Sequence, residues 1–117
     1  MLKRQFGDAK VYGDFRKLLE SEKDVSVVIN ATPNHWHAPA TILACAAGKH
    51  VYVEKPGSHN AREGELMVQA ARKYKRVFQI GSQQRTMEFN RYACDLVRSG
   101  KIGAIKVYRA AIRTDLR

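Results

Sequence analysis

The 117-residue sequence contains no run of about 18 apolar residues, which excludes a membrane-spanning helix. Its first residues, Met1 to Asp8, lack the apolar core of a secretory leader. Prolines number three, and 44% of residues are hydrophobic, so the chain reads as globular and not disordered. Only two cysteines occur, Cys45 and Cys94, far apart in helix-like segments and in neither a metal nor a redox spacing. Both read as small buried hydrophobes. His35 and His37 would offer a metal two ligands, with His50 and His59 in other segments. A catalytic zinc takes three protein ligands and a structural zinc four, so no metal site is expected. Acidic residues are scarce in one part: residues 72–117 carry +9 of the net charge of +10. Those basic residues are spread over helix and strand patterns without an aromatic platform, so nucleic acid is not the expected partner. An acidic segment outside this sequence would balance them.

What is present alternates between strand and helix patterns. Gly7 follows Phe6 as at the end of a helix. Lys10-Val11-Tyr12 reads as a brief strand. Asp14 then caps a helix whose Phe15, Leu18 and Leu19 share one face, ending near Ser21. Val25 to Ile29 is nearly continuous and β-branched, as in a strand covered by helices on both faces. A helix is predicted from about Trp36 to Ala47, with Pro39 in its first turn and Gly48 as its stop. Val51-Tyr52-Val53 is a short strand. Asn60 with Glu63 starts the next helix as a capping box, with Leu66, Met67, Ala70, Ala71 and Tyr74 as its apolar stripe. Val77 to Ile80 is another strand, and Phe89, Tyr92, Ala93, Leu96 and Val97 recur at helical spacing. Ser99 to Gly103 is a turn, and Ile105 to Ile112 reads as a longer strand.

Strands separated by helices of this length imply βαβ units and a parallel sheet with right-handed crossovers. The loops after Ala31, Val53 and Ile80 then leave the same carboxyl edge, where open α/β sheets bind ligands. Thr32–His37, Glu54–Pro56 and Gln83–Arg85 would line one crevice.

Thr32-Pro33-Asn34-x-x-His37, then Ala47-Gly48-Lys49-His50-Val51, then Glu54-Lys55-Pro56, together resemble the signature of the glucose–fructose oxidoreductase and inositol dehydrogenase family (Gfo/Idh/MocA). Val11-Tyr12-x-Asp14-Phe15, Gly81-x-Gln83-x-Arg85 and Gly100-Lys101-Ile102-Gly103 extend the likeness over nearly the whole chain. The resemblance implies a Rossmann domain for NAD or NADP, followed by an α/β domain that builds most of a sugar or polyol site. By that likeness Thr32, Pro33 and Asn34 lie along the diphosphate and ribose, with His37 supporting their loop. Glu54 and Lys55 stand near the nicotinamide ribose and ring, Pro56 fixes the loop, and Gln83 with Arg85 closes the site. Lys55 is the catalytic candidate, its ammonium polarising a substrate hydroxyl.

The sequence departs from that family in having no GxGxxG loop and no acidic or basic residue after a second strand to choose between NAD and NADP. The expected fold is therefore α/β, a partial doubly wound Rossmann-type parallel sheet lacking its first two strands. Residues 1–103 would be this partial domain, and residues 104–117 the first strand of the C-terminal domain. Such a piece would leave an edge of Val25–Ile29 open and bind cofactor weakly or not at all. The implied parent is a cytoplasmic homo-oligomer; an exported parent whose signal is lost is the other reading. Alternative functions are an NAD-dependent glycosidase of the same family, or a non-enzymatic basic binding module. Taken singly the residues also have plainer roles: Lys55 and Arg85 as solvated charges, Trp36 as loop packing, Glu54 in an ion pair.

Overall fold

The computed structural model describes residue 7 and residues 9–109. They divide between Gly81 and Ser82 into two units.

The first unit starts with an irregular stretch leading to helix α1 (Phe15–Ser21). Asp14 is extended and its carboxylate accepts from the Arg16 backbone N–H, satisfying one of the amides that a helix start leaves unpaired. Strand β1 (Val27–Asn30), helix α2 (Asn34–Ala46), strand β2 (His50–Val53), helix α3 (Ala61–Tyr74) and strand β3 (Phe78–Ile80) follow. The strands form one parallel sheet in the order β1-β2-β3. Asn30 stands in register with Val53, and Val53 with Ile80, so the three strands end level along one edge. The expected βαβ arrangement is present.

The core lies between the sheet and the two longer helices. Val51 and Val53 of β2 pack with Ala38, Ala44 and Cys45 of α2 and Met67 and Ala70 of α3, with Leu19 of α1 joining them. Asn60 caps α3 as a capping box: its side chain accepts from the Glu63 N–H, and the Glu63 carboxylate accepts from the His59 N–H. Lys75 ends α3 in the left-handed conformation. Gly48, with φ of 80°, turns the chain out of α2, a conformation that costs glycine nothing.

Several expectations are corrected. Lys10–Tyr12 is not a strand, because no strand lies beside it among the described residues to supply ladder hydrogen bonds. Tyr12 and Lys10 donate instead to the Glu22 carboxylate at the far end of α1. β1 is not covered on both faces: Ile29 is 74% exposed and Val27 lies exposed two residues before it, on the face opposite Val28 and Asn30. The outer edge of β1 has no partner strand among the described residues, as the open-edge reading expected. α2 starts earlier than Trp36, which puts Pro39 past the first turn.

The second unit holds a short 3-10 helix (Gln83–Arg85), helix α4 (Glu88–Arg98) and a turn at Gly100–Gly103. Phe89, Tyr92 and Val97 of α4 are exposed, as is Cys94, so the buried role expected for that cysteine holds for Cys45 alone. Residues 105–109 form no strand; residues 110–112 of the predicted strand lie outside the described residues. No helix among the described residues is long and apolar enough to cross a membrane.

Candidate functional site

At the carboxyl edge of the first unit an apolar strand closes on a buried polar residue, Asn30, 3% exposed. Its amide nitrogen donates to the His37 carbonyl oxygen at 3.0 Å and to Thr41 Oγ1 at 3.3 Å. Its amide oxygen accepts from Thr32 Oγ1 at 2.7 Å and from the Thr32 backbone N–H at 3.4 Å. All four hydrogen-bonding positions of the side chain are filled, as burial demands. The Asn30 carbonyl also accepts from the Glu54 N–H at 2.9 Å, which ties the start of the second loop to the end of β1.

His37 lies in the first turns of α2 and is 1% exposed. Its Nε2 meets the Thr32 carbonyl oxygen at 2.7 Å and its Nδ1 meets the Pro56 carbonyl oxygen at 2.5 Å. Carbonyl oxygens only accept, so each contact is a hydrogen bond when that ring nitrogen bears a proton. One imidazole thus stands between the Thr32 loop and the Lys55–Pro56 loop. The Lys55–Pro56 peptide is cis. Lys55 is exposed at the tip of that loop and Glu54 is half-buried beside it. Gly57 follows where a side chain would not fit unaided: a Cβ there would fall 2.6 Å from Ile80 Cδ1.

Thr32, Pro33, Asn34 and Trp36 are exposed on the first loop. Pro33 precedes α2, which has no side-chain cap and no acidic residue in its first turn. The amide N–H groups of that turn therefore remain free of side-chain partners and carry the positive end of the helix dipole, which suits a phosphate. Beside Thr32 a cavity of about 460 Å³ is lined by Phe15, Trp36, Ala40 and Leu43 with Asp14 and Arg16 at its rim. Phe15 and Trp36 meet edge to face with ring centroids 6.0 Å apart. The volume falls in the range of small-molecule pockets, and the apolar wall suits a planar ring. Arg16 donates to both carboxylate oxygens of Asp14 and holds its pKa down to about 2, so this rim carries an ion pair at neutral pH.

The structure thus brings Thr32, His37 and Pro56 into direct contact and links Glu54 to them through its backbone. Asn34 begins α2 at the mouth of the loop. Gln83 and Arg85 belong to the second unit, where both are exposed on the 3-10 helix. The sequence reading gave Asn30 and Thr41 no role of their own. A polar residue closing the run Val27-Val28-Ile29 was the available signal, since a buried amide needs several partners. Lys49 of the Gly48-Lys49-His50 motif is 3% exposed and donates to the Glu22 and Lys23 carbonyls, which fastens the end of α1 to the start of β2.

The chain as a whole is similar to known proteins. The chain is 32% identical over 112 residues to levoglucosan dehydrogenase of Pseudarthrobacter phenanthrenivorans, covering 96% of this chain and 28% of that protein. It is 35% identical over 97 residues to inositol 2-dehydrogenase of Salmonella typhimurium, covering 82% and 29%. The crystal structure of scyllo-inositol dehydrogenase from Lactobacillus casei, with bound NAD(H) and scyllo-inositol, superposes with a TM-score of 0.73 at 32% identity, over 86% of this chain and 30% of that one. The chain spans under a third of the length of these relatives. With residues 2–82 matching the oxidoreductase family with an NAD-binding Rossmann fold, the chain belongs to the Gfo/Idh/MocA oxidoreductases.

Proposed function

We propose that this chain supplies the nicotinamide-facing part of an NAD(P)-dependent oxidoreductase acting on a sugar or polyol hydroxyl. The observation that carries this reading is the His37 bridge, which joins the Thr32 loop to the Lys55 loop at the carboxyl edge of a parallel sheet. The relatives named for levoglucosan and inositol supply the substrate class. When bound, the nicotinamide ring supplies the hydride chemistry. The chain's own residues bind and orient. Thr32, Pro33 and Asn34 line the ribose and diphosphate, the first turn of α2 offers its amides to the phosphates, and Glu54 faces the nicotinamide ribose. Lys55 holds its ammonium at the substrate hydroxyl oxygen and steadies the negative charge that grows there as the carbonyl forms. The boundary between the cofactor domain and the second α/β domain falls near residue 103, and the intact protein is a cytoplasmic homo-oligomer.

The test is a chimaera in which residues 9–81 replace the matching stretch of the Lactobacillus casei enzyme. Retained NAD(H)-dependent oxidation of scyllo-inositol, with kcat reduced by about 10²–10⁴ on Lys55→Ala, is the expected result. A folded chimaera that binds no NAD(H) overturns the reading. The 117-residue chain alone is expected to bind NAD weakly or not at all, since it supplies only one side of the cofactor; micromolar affinity by calorimetry would contradict that.

A further inference from the structure

The hydrogen bonds around Asn30 decide which way the Thr32 hydroxyl points. The Thr32 backbone N–H can only donate, so the Asn30 side-chain atom facing it is the amide oxygen. The His37 carbonyl can only accept, so the atom facing it is the amide nitrogen. These two obligate partners remove the usual ambiguity between the two ends of an asparagine amide. The amide oxygen also lies 2.7 Å from Thr32 Oγ1. An oxygen without a proton can be bonded there only if the threonine hydroxyl donates. The other acceptor near that hydroxyl, the Pro33 carbonyl, is 3.5 Å away and cannot compete.

Thr32 therefore spends its only hydroxyl proton inward. Thr32 is exposed and lines the 460 Å³ cavity, and with its one hydroxyl proton already used its oxygen can only accept from a ligand there. A phosphate oxygen at neutral pH is also an acceptor and gains nothing from such a group. A sugar hydroxyl carries a proton and can donate it.

We propose that Asn30 is a positioning residue that makes Thr32 a dedicated hydrogen-bond acceptor for a ribose hydroxyl, leaving phosphate to the backbone amides at the start of α2. The proposal rests on the nucleotide-binding reading of this edge and narrows it. Ribose chemistry has two sources in a dinucleotide, the adenosine and the nicotinamide riboside halves, and the structure assigns the hydroxyl class that Thr32 receives.

The experiment is NMR titration of the 117-residue chain, labelled with ¹⁵N, with adenosine, nicotinamide riboside, their 2′-deoxy and 3′-deoxy counterparts, and inorganic pyrophosphate. Thr32 is expected to shift with one riboside, which identifies the source, and loss of the correct ribose hydroxyl should weaken binding about fivefold to tenfold. Pyrophosphate should move the amides of Asn34 and His35 without a hydroxyl effect at Thr32. Asn30→Leu frees the hydroxyl proton, so the discrimination between riboside and deoxyriboside should shrink and pyrophosphate should begin to perturb Thr32. If that buried substitution prevents folding, exposed Thr32→Val gives the second reading: riboside affinity falls to that of the deoxy compound and pyrophosphate binding is unchanged. Equal response of wild-type Thr32 to pyrophosphate and riboside overturns the proposal, as does riboside binding insensitive to Thr32→Val; in both cases the nucleotide-site reading survives. No response at this edge to any probe at millimolar concentration overturns the proposal; the nucleotide-site reading, which expects weak binding or none from the chain alone, is decided by NAD(H) binding to the chimaera.

Discussion

Nδ1 of His37 meets the carbonyl oxygen of Pro56, nineteen residues further along the chain, at 2.5 Å. The contact fastens the start of α2 to the loop that carries Lys55, and the same ring reaches back to Thr32. His37→Leu keeps the bulk and removes the hydrogen bond made by the ring nitrogen that bears the proton, so a loss of about 0.5–1.5 kcal/mol in stability is expected. Amide hydrogen exchange should accelerate at Lys55 and Gly57 more than in β2 itself. Uniform acceleration across the sheet would show that the ring serves general packing instead.

Gly57 and Ile80 form a second coupling at this edge. A methyl group at Gly57 would collide with the end of the Ile80 side chain. Gly57→Ala obliges the exposed Ile80 side chain to move, so the cost should stay below about 1 kcal/mol and most of it should disappear in an Ile80→Ala background, where Cγ1 and Cδ1 are both gone. Urea denaturation of the four members of the cycle measures the coupling; additive effects would refute it.

The cap of α1 gives a pH dependence with a definite sign. Arg16 donates to Asp14 from its side chain and its backbone N–H, holding the carboxyl pKa at about 2 against about 3.9 in an unfolded chain. A depressed acid pKa stabilises the fold above the unfolded value and loses that contribution as pH falls through the folded value. The urea midpoint should therefore drop between about pH 4 and pH 2, and Asp14→Asn should flatten that part of the curve. An unchanged acid profile in the variant would remove Asp14 as its cause.

Lys49 is buried with its ammonium on the Glu22 and Lys23 carbonyls just past the end of α1. Lys49→Met preserves the stem and deletes the donors. The expected result is a loss of about 1–3 kcal/mol, with faster exchange confined to the end of α1 and the turn after it. Lost signal dispersion throughout the core would instead assign the residue a packing role.

The local elements and their ends follow from the sequence because their physics is local. Asp14 and Asn60 cap helices by bonding amides two or three residues on, and Gly48 stops α2 through its own backbone freedom. Helix-length spacing between β-branched runs leads to parallel strands whose loops leave one edge. The family motifs at Thr32–His37 and Glu54–Pro56 mark that edge. What the sequence does not contain is the choice of partners across distance. Lys10–Tyr12 has strand-like residues but becomes irregular because a strand exists only against another strand. Ile29 has a core residue's chemistry but is exposed because nothing among the described residues covers its face. Asn30, His37 and Lys49 acquire their roles from contacts up to 27 residues away. Burial then decides the rest: once an amide or an imidazole leaves water, every polar atom on it must find a partner, and only the folded chain determines which.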